Sequence, residues 1–240
     1  MINFLANILG SVLRGVYGFV SQIGQEPQML SYYAMAIILT TFIFKFILLP
    51  FNVVQVRNQK KMAKIQPEIK KLQKKYGYDQ QTLTLKTQEL YKEEGYNPMA
   101  GCLPLLIQFP IALSFYRIFR FPEQFAFSNP GFFEAMQKNF FHIGDLGNPD
   151  TTIILPIVAA VTTYLTSELT QGMQANQGPS SDQAAQTMNM MKIMMPVMIF
   201  FFARNMPAGL VIYWITSSVF SIVQQLINKL IVKKELEEEI

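Results

Sequence analysis

The sequence has little of what most catalytic and metal sites are built from. Its 240 residues include one cysteine, Cys102, and one histidine, His142. One cysteine excludes an intramolecular disulfide framework and a multi-cysteine metal site, and one histidine excludes a histidine-based metal or catalytic cluster. The apolar runs contain no HExxH motif, no phosphate-binding glycine loop and no paired carboxylates. We therefore predict a protein that is not an enzyme and that uses no metal and no cofactor.

Charged residues are also scarce, at 15% of the chain, whereas half of the residues are hydrophobic. Several long apolar runs approach the ~20 residues that a helix needs to cross a hydrocarbon core of ~30 Å. The alternating pattern of half-buried strands is absent, which favours helices. We predict an all-α polytopic membrane protein with five transmembrane helices, at residues 27–53, 97–119, 151–168, 190–206 and 207–231.

The placement of the basic residues predicts the topology. Ten of the 20 lie between Arg57 and Lys92, and the positive-inside rule places such a segment in the cytoplasm. The N-terminus is then outside and the C-terminus is cytoplasmic. The remaining segments are an outer-face amphipathic helix (1–26), a cytoplasmic basic helical hairpin (54–96), an outer aromatic loop (120–150), a cytoplasmic polar loop (169–189) and a cytoplasmic tail (232–240).

Three interpretations remain open for residues 1–23, whose apolar side chains recur at helical spacing with Arg14 as the one charge. A signal peptide would carry basic residues before its apolar run, and none precedes Arg14. A further membrane span is the second interpretation. Three glycines and the break at residues 24–27 favour the third, an interfacial helix on the outer face.

The hairpin is predicted from an apolar seam at steps of three and four residues, which begins at Met62 and ends at Tyr76, followed by a helix stop at Gly77 and a cap at Asp79. A run of lysines on a helix is most often a solvated face. The more specific interpretation is a docking surface for an acidic partner, such as anionic lipid or ribosomal RNA. The candidate docking residues are Arg57, Lys60, Lys61, Lys64, Lys70, Lys71, Lys74 and Lys75.

Lys45 is the charged residue inside the first apolar run, in the stretch TTFIFKFILLPF that starts at Thr40. A helical rise of ~1.5 Å per residue places it ~12 Å from the polar sequence that begins near Val53. A charge at the bilayer centre costs about 2.5–3.5 kcal/mol on insertion scales, so Lys45 either snorkels or faces a hydrated protein interior. We favour the hydrated interior because ~12 Å is long for a lysine stem to bridge.

Uncharged polar residues in the other spans fit a hydrated interior. Hydroxyls in membrane helices commonly bond their own backbone, which is the simpler explanation of those in the third span. Together with a cation and an amide, however, they describe a water-filled indentation. The predicted groove residues are Lys45, Gln108, Thr163, Ser167, Ser217 and Ser218.

The fourth predicted span has an uncharged core of only residues 193–203, which is ~17 Å of helix against a hydrocarbon core of ~30 Å. We therefore expect local bilayer thinning that lets Lys192 and Arg204 both reach the headgroups. Glu168 lies at the end of the third predicted span, where exposure explains it.

Four stretches in order carry a family resemblance: TTFIFKFILLPF from Thr40, NPMAGCLPLLIQFPI from Asn97, KIMMPVMIFFF from Lys192 and PAGLVIYWITSSVFSIVQQ from Pro207. They resemble the YidC insertase family, related to the mitochondrial Oxa and chloroplast Albino proteins. Each motif alone is weak, but the four together, with a basic hairpin between the first two, are specific. The resemblance covers about residues 30–233 and is to the five-span bacterial form.

The resemblance implies a membrane protein insertase or chaperone of the bacterial plasma membrane, with a hydrophilic groove that is open to the cytoplasm and to lipid. Lys45 matches the position of a family arginine in that groove, and Ser167 lies near the position of a family glutamine. The implied partners are nascent membrane proteins, membrane lipid, the ribosome, targeting factors and the Sec translocon, with no small-molecule substrate. The candidate substrate contacts are Thr41, Phe109, Pro110, Tyr213 and Trp214.

Two other classes of function remain open on the residues alone. A small-molecule or ion transporter could use the same groove, although such proteins usually show membrane-embedded acids or internal repeats, and this sequence shows neither. A structural scaffold for other membrane proteins would tolerate the loss of Lys45.

Overall fold

A computed structural model describes residues 1–97, 103–175 and 182–237 of the chain. Cys102, residues 176–181 of the predicted polar loop and residues 238–240 of the predicted tail lie outside the described residues. Within the described ranges the regular elements are helices, which confirms the all-α class. They are α1 (Ile2–Val20), α2 (Tyr32–Ile47), α3 (Leu49–Tyr76), α4 (Gln80–Glu93), α5 (Leu103–Arg120), α6 (Pro122–Phe125), α7 (Phe132–Ala135), α8 (Ile154–Ala175), α9 (Asp182–Asn205) and α10 (Ala208–Glu237).

One described helix is by itself long and apolar enough to cross a membrane, Ala208–Ile231 within α10. A second span is counted if Tyr32–Ile47 and Leu49–Tyr76 are taken together as one interrupted span. The interruption falls inside the predicted span 27–53, because Pro50 lies in the first turn of α3. Proline has no backbone N–H to donate and is well accommodated in the first turn of a helix, where that N–H has no partner in any case, so α3 can begin there.

The described chain divides into two compact units. Unit 1 comprises Met1–Ile47, Pro104–Thr163 and Pro196–Phe220, and unit 2 comprises Leu48–Leu103, Tyr164–Met195 and Ser221–Ile240.

The N-terminal helix α1 packs one face into the core of unit 1. Leu9 and Leu13 are buried on that face, whereas Phe4 and Phe19 are exposed on another. Gly10 allows the closest approach, because a Cβ atom at this position would lie 2.0 Å from the backbone oxygen of Phe125. The sequence of α1 therefore produces an amphipathic helix held against the segment that contains α6.

The segment between α5 and α8 contributes aromatic rings to the same core. The Phe127 and Phe133 rings lie 6.0 and 5.5 Å from the Tyr33 ring, distances at which aromatic pairs attract. Phe121 and Phe141 are exposed. This segment is thus partly a folded component of unit 1, and its exposed rings are the ones available to an interface.

Backbone hydrogen bonds join that segment to the first turn of α10. The Ala208 N–H donates to the Asn148 carbonyl at 2.8 Å, and the Gly209 N–H donates to the Leu146 carbonyl at 2.9 Å. The first N–H groups of any helix have no partner within the helix. The segment therefore supplies the acceptors that the start of α10 needs.

Asp150 positions the start of α8. Its buried carboxylate accepts hydrogen bonds from the backbone N–H groups of Thr152 and Leu155, both at 2.8 Å. Burial works to raise the pKa of Asp150, but the hydrogen bonds from Thr152 and Leu155 outweigh it, and the pKa lies below its ordinary value.

In unit 2, α3 and α4 bury a small apolar cluster that contains Met62, Ile65 and Ile69 of α3 and Leu90 of α4. Asp79 caps α4 by accepting from the Gln81 and Thr82 N–H groups, as an N-cap residue does. The buried seam follows the predicted steps of three and four residues.

A second seam of unit 2 is polar and joins α3 to α10. Asn52 and Asn228 exchange amide hydrogen bonds of 2.9 and 2.8 Å, and the Gln59 side-chain N–H donates to the Gln225 side-chain oxygen at 3.4 Å. Asn228 is 1% exposed. Buried amides of this kind fix the register of two packed helices.

Candidate functional site

Lys45 lies in the last turn of α2, because that helix ends at Ile47. A cation is stabilised there by the partial negative charge at the C-terminal end of a helix. Its side chain is half-buried and approaches the side-chain oxygen of Gln108 on α5 at 3.5 Å. The sequence placed Lys45 deep in a continuous span, whereas the structure places it near a helix end with a polar partner.

Gln108 connects Lys45 to α10. Its side-chain N–H donates to the Tyr213 hydroxyl at 2.6 Å, and the Ser217 hydroxyl approaches its oxygen at 3.4 Å. The contacts of 3.4 and 3.5 Å are long and weak, whereas the one of 2.6 Å is short. The Tyr213 bond therefore fixes the amide and directs its oxygen toward Lys45 and Ser217. We call Lys45, Gln108, Tyr213 and Ser217 the polar cluster.

Tyr213 gives the polar cluster a rigid wall. The residue is buried, and its ring stacks on Phe115 with centroids 4.2 Å apart. Stacked aromatic pairs contribute about 0.5–1.5 kcal/mol beyond the area that they bury. The phenol oxygen is therefore held in place, and Gln108 is oriented by a group that cannot easily move.

Trp214 and Thr163 form a second polar contact in unit 1. The indole N–H of Trp214 donates to the Thr163 hydroxyl at 3.0 Å. Thr163 is buried and Trp214 is half-buried, so this bond leaves part of the indole ring accessible.

The candidate substrate contacts differ widely in exposure. Phe109 is 63% exposed, whereas Thr41 is 1% exposed and its hydroxyl donates to the Ile37 carbonyl one turn earlier. Pro110 is half-buried, and Tyr213 belongs to the polar cluster. Phe109 and Trp214 can thus meet a ligand directly, and Thr41 can do so only if the helices move.

The remaining groove candidates are Ser218 in unit 1 and Ser167 in unit 2. Ser218 is buried next to Ser217 on α10. Ser167 is half-buried and belongs to unit 2. Among residues 1–97, 103–175 and 182–237, no group of three or more His, Cys, Asp or Glu side chains could hold a metal ion. What the polar cluster offers is an ammonium with amide and hydroxyl groups, which suits a polar or anionic ligand.

The predicted docking residues lie on α3. All except Lys60 are exposed, and the Lys61 ammonium donates to the Gly95 carbonyl just after α4 at 2.8 Å. This part of α3 is therefore an accessible basic surface.

Sequence reasoning missed an ion pair of unit 2. The Lys192 ammonium on α9 lies 3.1 Å from the Glu168 carboxylate on α8, and Glu168 is an internal residue of α8 rather than its end. The expectation that exposure alone accounts for Glu168 was incomplete. The sequence did contain a signal for this ion pair, since Glu168 and Lys192 carry opposite charges and lie on consecutive predicted spans.

The sequence profile of the 60Kd inner membrane protein family matches residues 26–235 of the chain. The chain belongs to this family. Among the relatives of this chain is the Membrane protein insertase YidC of Clostridium perfringens (strain 13 / Type A), which is 37% identical over 92% of the chain and 87% of the relative. The Membrane protein insertase MisCA of Bacillus subtilis (strain 168) is 37% identical over 82% of the chain and 70% of the relative.

The fold of this chain is similar to that of a solved relative, an active YidC insertase whose first transmembrane domain is resolved in the crystal. The TM-score is 0.56 at 27% identity, and the match covers 88% of this chain. The chain spans 45% of the length of that solved chain. The family resemblance carried by the four sequence stretches is therefore confirmed, and the chain is a bacterial membrane protein.

Proposed function

We propose that this protein is a membrane protein insertase, which moves hydrophobic segments and short polar tails of nascent membrane proteins into the bilayer. The single observation that carries the proposal is the polar cluster, in which Lys45 is held beside Gln108 and Ser217. The names of the relatives support the same activity.

In the proposed mechanism no covalent bond changes. The Lys45 ammonium attracts the acidic or polar tail of a client, and Gln108 and Ser217 supply further hydrogen bonds while the tail is partly dehydrated. Transfer of such a tail through hydrocarbon is costly because its polar groups lose their hydrogen bonds. The exposed Phe109 ring and the Trp214 ring contact the hydrophobic segment of the client, which then partitions into lipid.

The proposed topology has five transmembrane helices, an outer N-terminus and a cytoplasmic C-terminus. It places the segment that contains α3 and α4 in the cytoplasm, as a hairpin for ribosome or targeting factors. The exposed basic residues of α3 support this, because cytoplasmic loops are rich in Lys and Arg. Membrane lipid and the Sec translocon complete the proposed partners.

The test is insertion of a short single-span client with an acidic tail by vesicles that contain purified protein. We expect Lys45→Ala to lower the initial rate at least about tenfold, since a hydrogen bond to a charged group contributes about 1.5–3 kcal/mol and 1.4 kcal/mol is a factor of ten. Lys45→Arg keeps the charge and should retain most of the rate. Lys86→Ala is the matched control, because Lys86 is an exposed cation paired with Glu89.

A second client, whose acidic tail residues are changed to the corresponding amides, tests whether Lys45 acts by attracting the client's negative charge or by stabilising the insertase itself. The difference between wild type and Lys45→Ala should shrink with this client, because the charge that Lys45 attracts is gone. Equal insertion of the acidic client by wild type and Lys45→Ala would contradict the mechanism. Solute movement by wild-type vesicles with no polypeptide present would favour a transporter.

A further inference from the structure

A pocket separate from the polar cluster opens at one edge of α1 in unit 1. Its volume is about 270 Å³, and it lies between the C-terminal half of α1 and the loop from Phe127 to Phe132. Tyr17, Phe127 and Phe132 form an aromatic wall with ring centroids 5.6 to 6.0 Å apart. We call this space the α1 pocket. Its walls are rigid because the three rings pack on one another.

The polar lining of the α1 pocket suits an anion. Arg14, Ser128 and Asn129 line it with side chains that can donate hydrogen bonds, whereas the Ser21 hydroxyl already donates to the Gly18 carbonyl at 3.1 Å. In the part of the chain that the structure describes, no carboxylate forms an ion pair with Arg14. A guanidinium is the side chain best matched to a phosphate, because it can donate two parallel hydrogen bonds.

The exposed face of α1 is apolar, which suits contact with lipid. Phe4, Ile8 and Phe19 form an exposed apolar stripe on α1, and such a helix lies in the membrane interface with its apolar side toward the acyl chains. Arg14 is exposed on a neighbouring face of the same helix. We propose that the α1 pocket binds the headgroup phosphate of an anionic phospholipid, with Arg14 as its main donor. The leaflet is the outer one under the topology proposed above.

Two glycines of α1 provide a matched pair of variants. A Cβ atom added at Gly18, which lines the pocket, or at Gly15, which does not, would meet nothing within 4 Å. Leucine is also a better helix former than glycine. Gly18→Leu should therefore fill the pocket without disturbing α1, and Gly15→Leu should add the same side chain outside the pocket.

The experiment counts phosphatidylglycerol molecules retained on the purified full-length protein by native mass spectrometry. Wild type should retain one molecule more than Arg14→Gln or Gly18→Leu. The occupancy of this site should be at least about tenfold lower in each variant, because a hydrogen bond to a charged group is lost or blocked. Gly15→Leu should match wild type. An excess of glycerol phosphate should leave the lipid in place, since the acyl chains add to the affinity.

Three results would overturn the proposal. They are unchanged occupancy in Arg14→Gln or Gly18→Leu, an equal loss in Gly15→Leu, and displacement of the lipid by glycerol phosphate. Lipid retention is measured without any client protein. Failure of the insertase mechanism would therefore leave this result unaffected, and the two can be separated.

Discussion

Asn52 and Asn228 of unit 2 bond each other, but we expect their replacement by leucine to destabilise the protein by different amounts. Asn228 is 1% exposed, whereas Asn52 is half-buried. Asn52→Leu therefore leaves the buried Asn228 amide without either of its bonds, and an unsatisfied buried polar group costs about 1–3 kcal/mol. Asn228→Leu leaves Asn52 able to reach other donors and acceptors, so it removes only the two bonds, which average about 0.6 kcal/mol each in membrane proteins.

We thus expect Asn52→Leu to destabilise the protein by about 2 kcal/mol and Asn228→Leu by about 1 kcal/mol. A protein of this size loses roughly 2–4 °C of melting temperature per kcal/mol. The corresponding shifts are roughly 4–8 °C and 2–4 °C, measured by thermal unfolding of purified protein in one detergent. Replacement of both partners by apolar groups is nearly neutral, so the double variant should melt within about 2 °C of wild type.

The control is Asn58→Leu on the same helix. Asn58 donates to the Asn97 carbonyl at 3.0 Å and accepts from the Asn97 N–H at 3.4 Å. Both contacts are exposed, so water can replace them, and Asn58→Leu should cost less than either single change at the buried pair. The reasoning is refuted if the double variant shows the sum of the two single losses, because the amides would then contribute independently rather than to each other.

Two further predictions concern unit 1. Gly10→Ala should lower the melting temperature by several degrees, because the added Cβ would lie 2.0 Å from the Phe125 oxygen and overpacking costs about 1–3 kcal/mol. The control is Gly15→Ala, whose added Cβ meets nothing within 4 Å. Equal melting temperatures of the two variants would contradict the close packing at Gly10. The pKa of Asp150 is lower in the folded protein than in the unfolded chain. The ionised Asp150 carboxylate therefore stabilises the folded state fully above the unfolded pKa of about 3.9, and this stabilisation is lost as the pH falls through the folded pKa. The melting difference between wild type and Asp150→Asn should therefore shrink on acidification, and a difference independent of pH would refute this.

Sequence reasoning identified most of the polar cluster but not its connectivity. Lys45, Gln108 and Ser217 stood out because each interrupts an apolar run. Tyr213 was assigned to substrate contact, whereas the structure uses its hydroxyl to orient Gln108. An aromatic side chain with one polar atom gives no periodic signal, so its role depends on which helix it faces.

The amide seam and the Lys192 pair were missed for a related reason. Asn52 and Asn228 are separated by 176 residues, and a single polar residue on each helix resembles part of a solvated face. Only the packing of α3 on α10 brings them together. The helical class, by contrast, follows from local hydrophobicity and was predicted correctly. The start of α3 at Leu49 was not predicted, because we expected one span over residues 27–53 and gave Pro50 no weight.

The backbone bonds that hold the first turn of α10 bear on how this protein tolerates sequence drift. Their acceptors are the carbonyls of Leu146 and Asn148, and every amino acid carries a carbonyl. Substitutions at these two acceptor positions therefore cannot delete the bonds, provided that the backbone path is kept. The helix that carries Tyr213 and Ser217 can remain anchored while the residues that anchor it diverge.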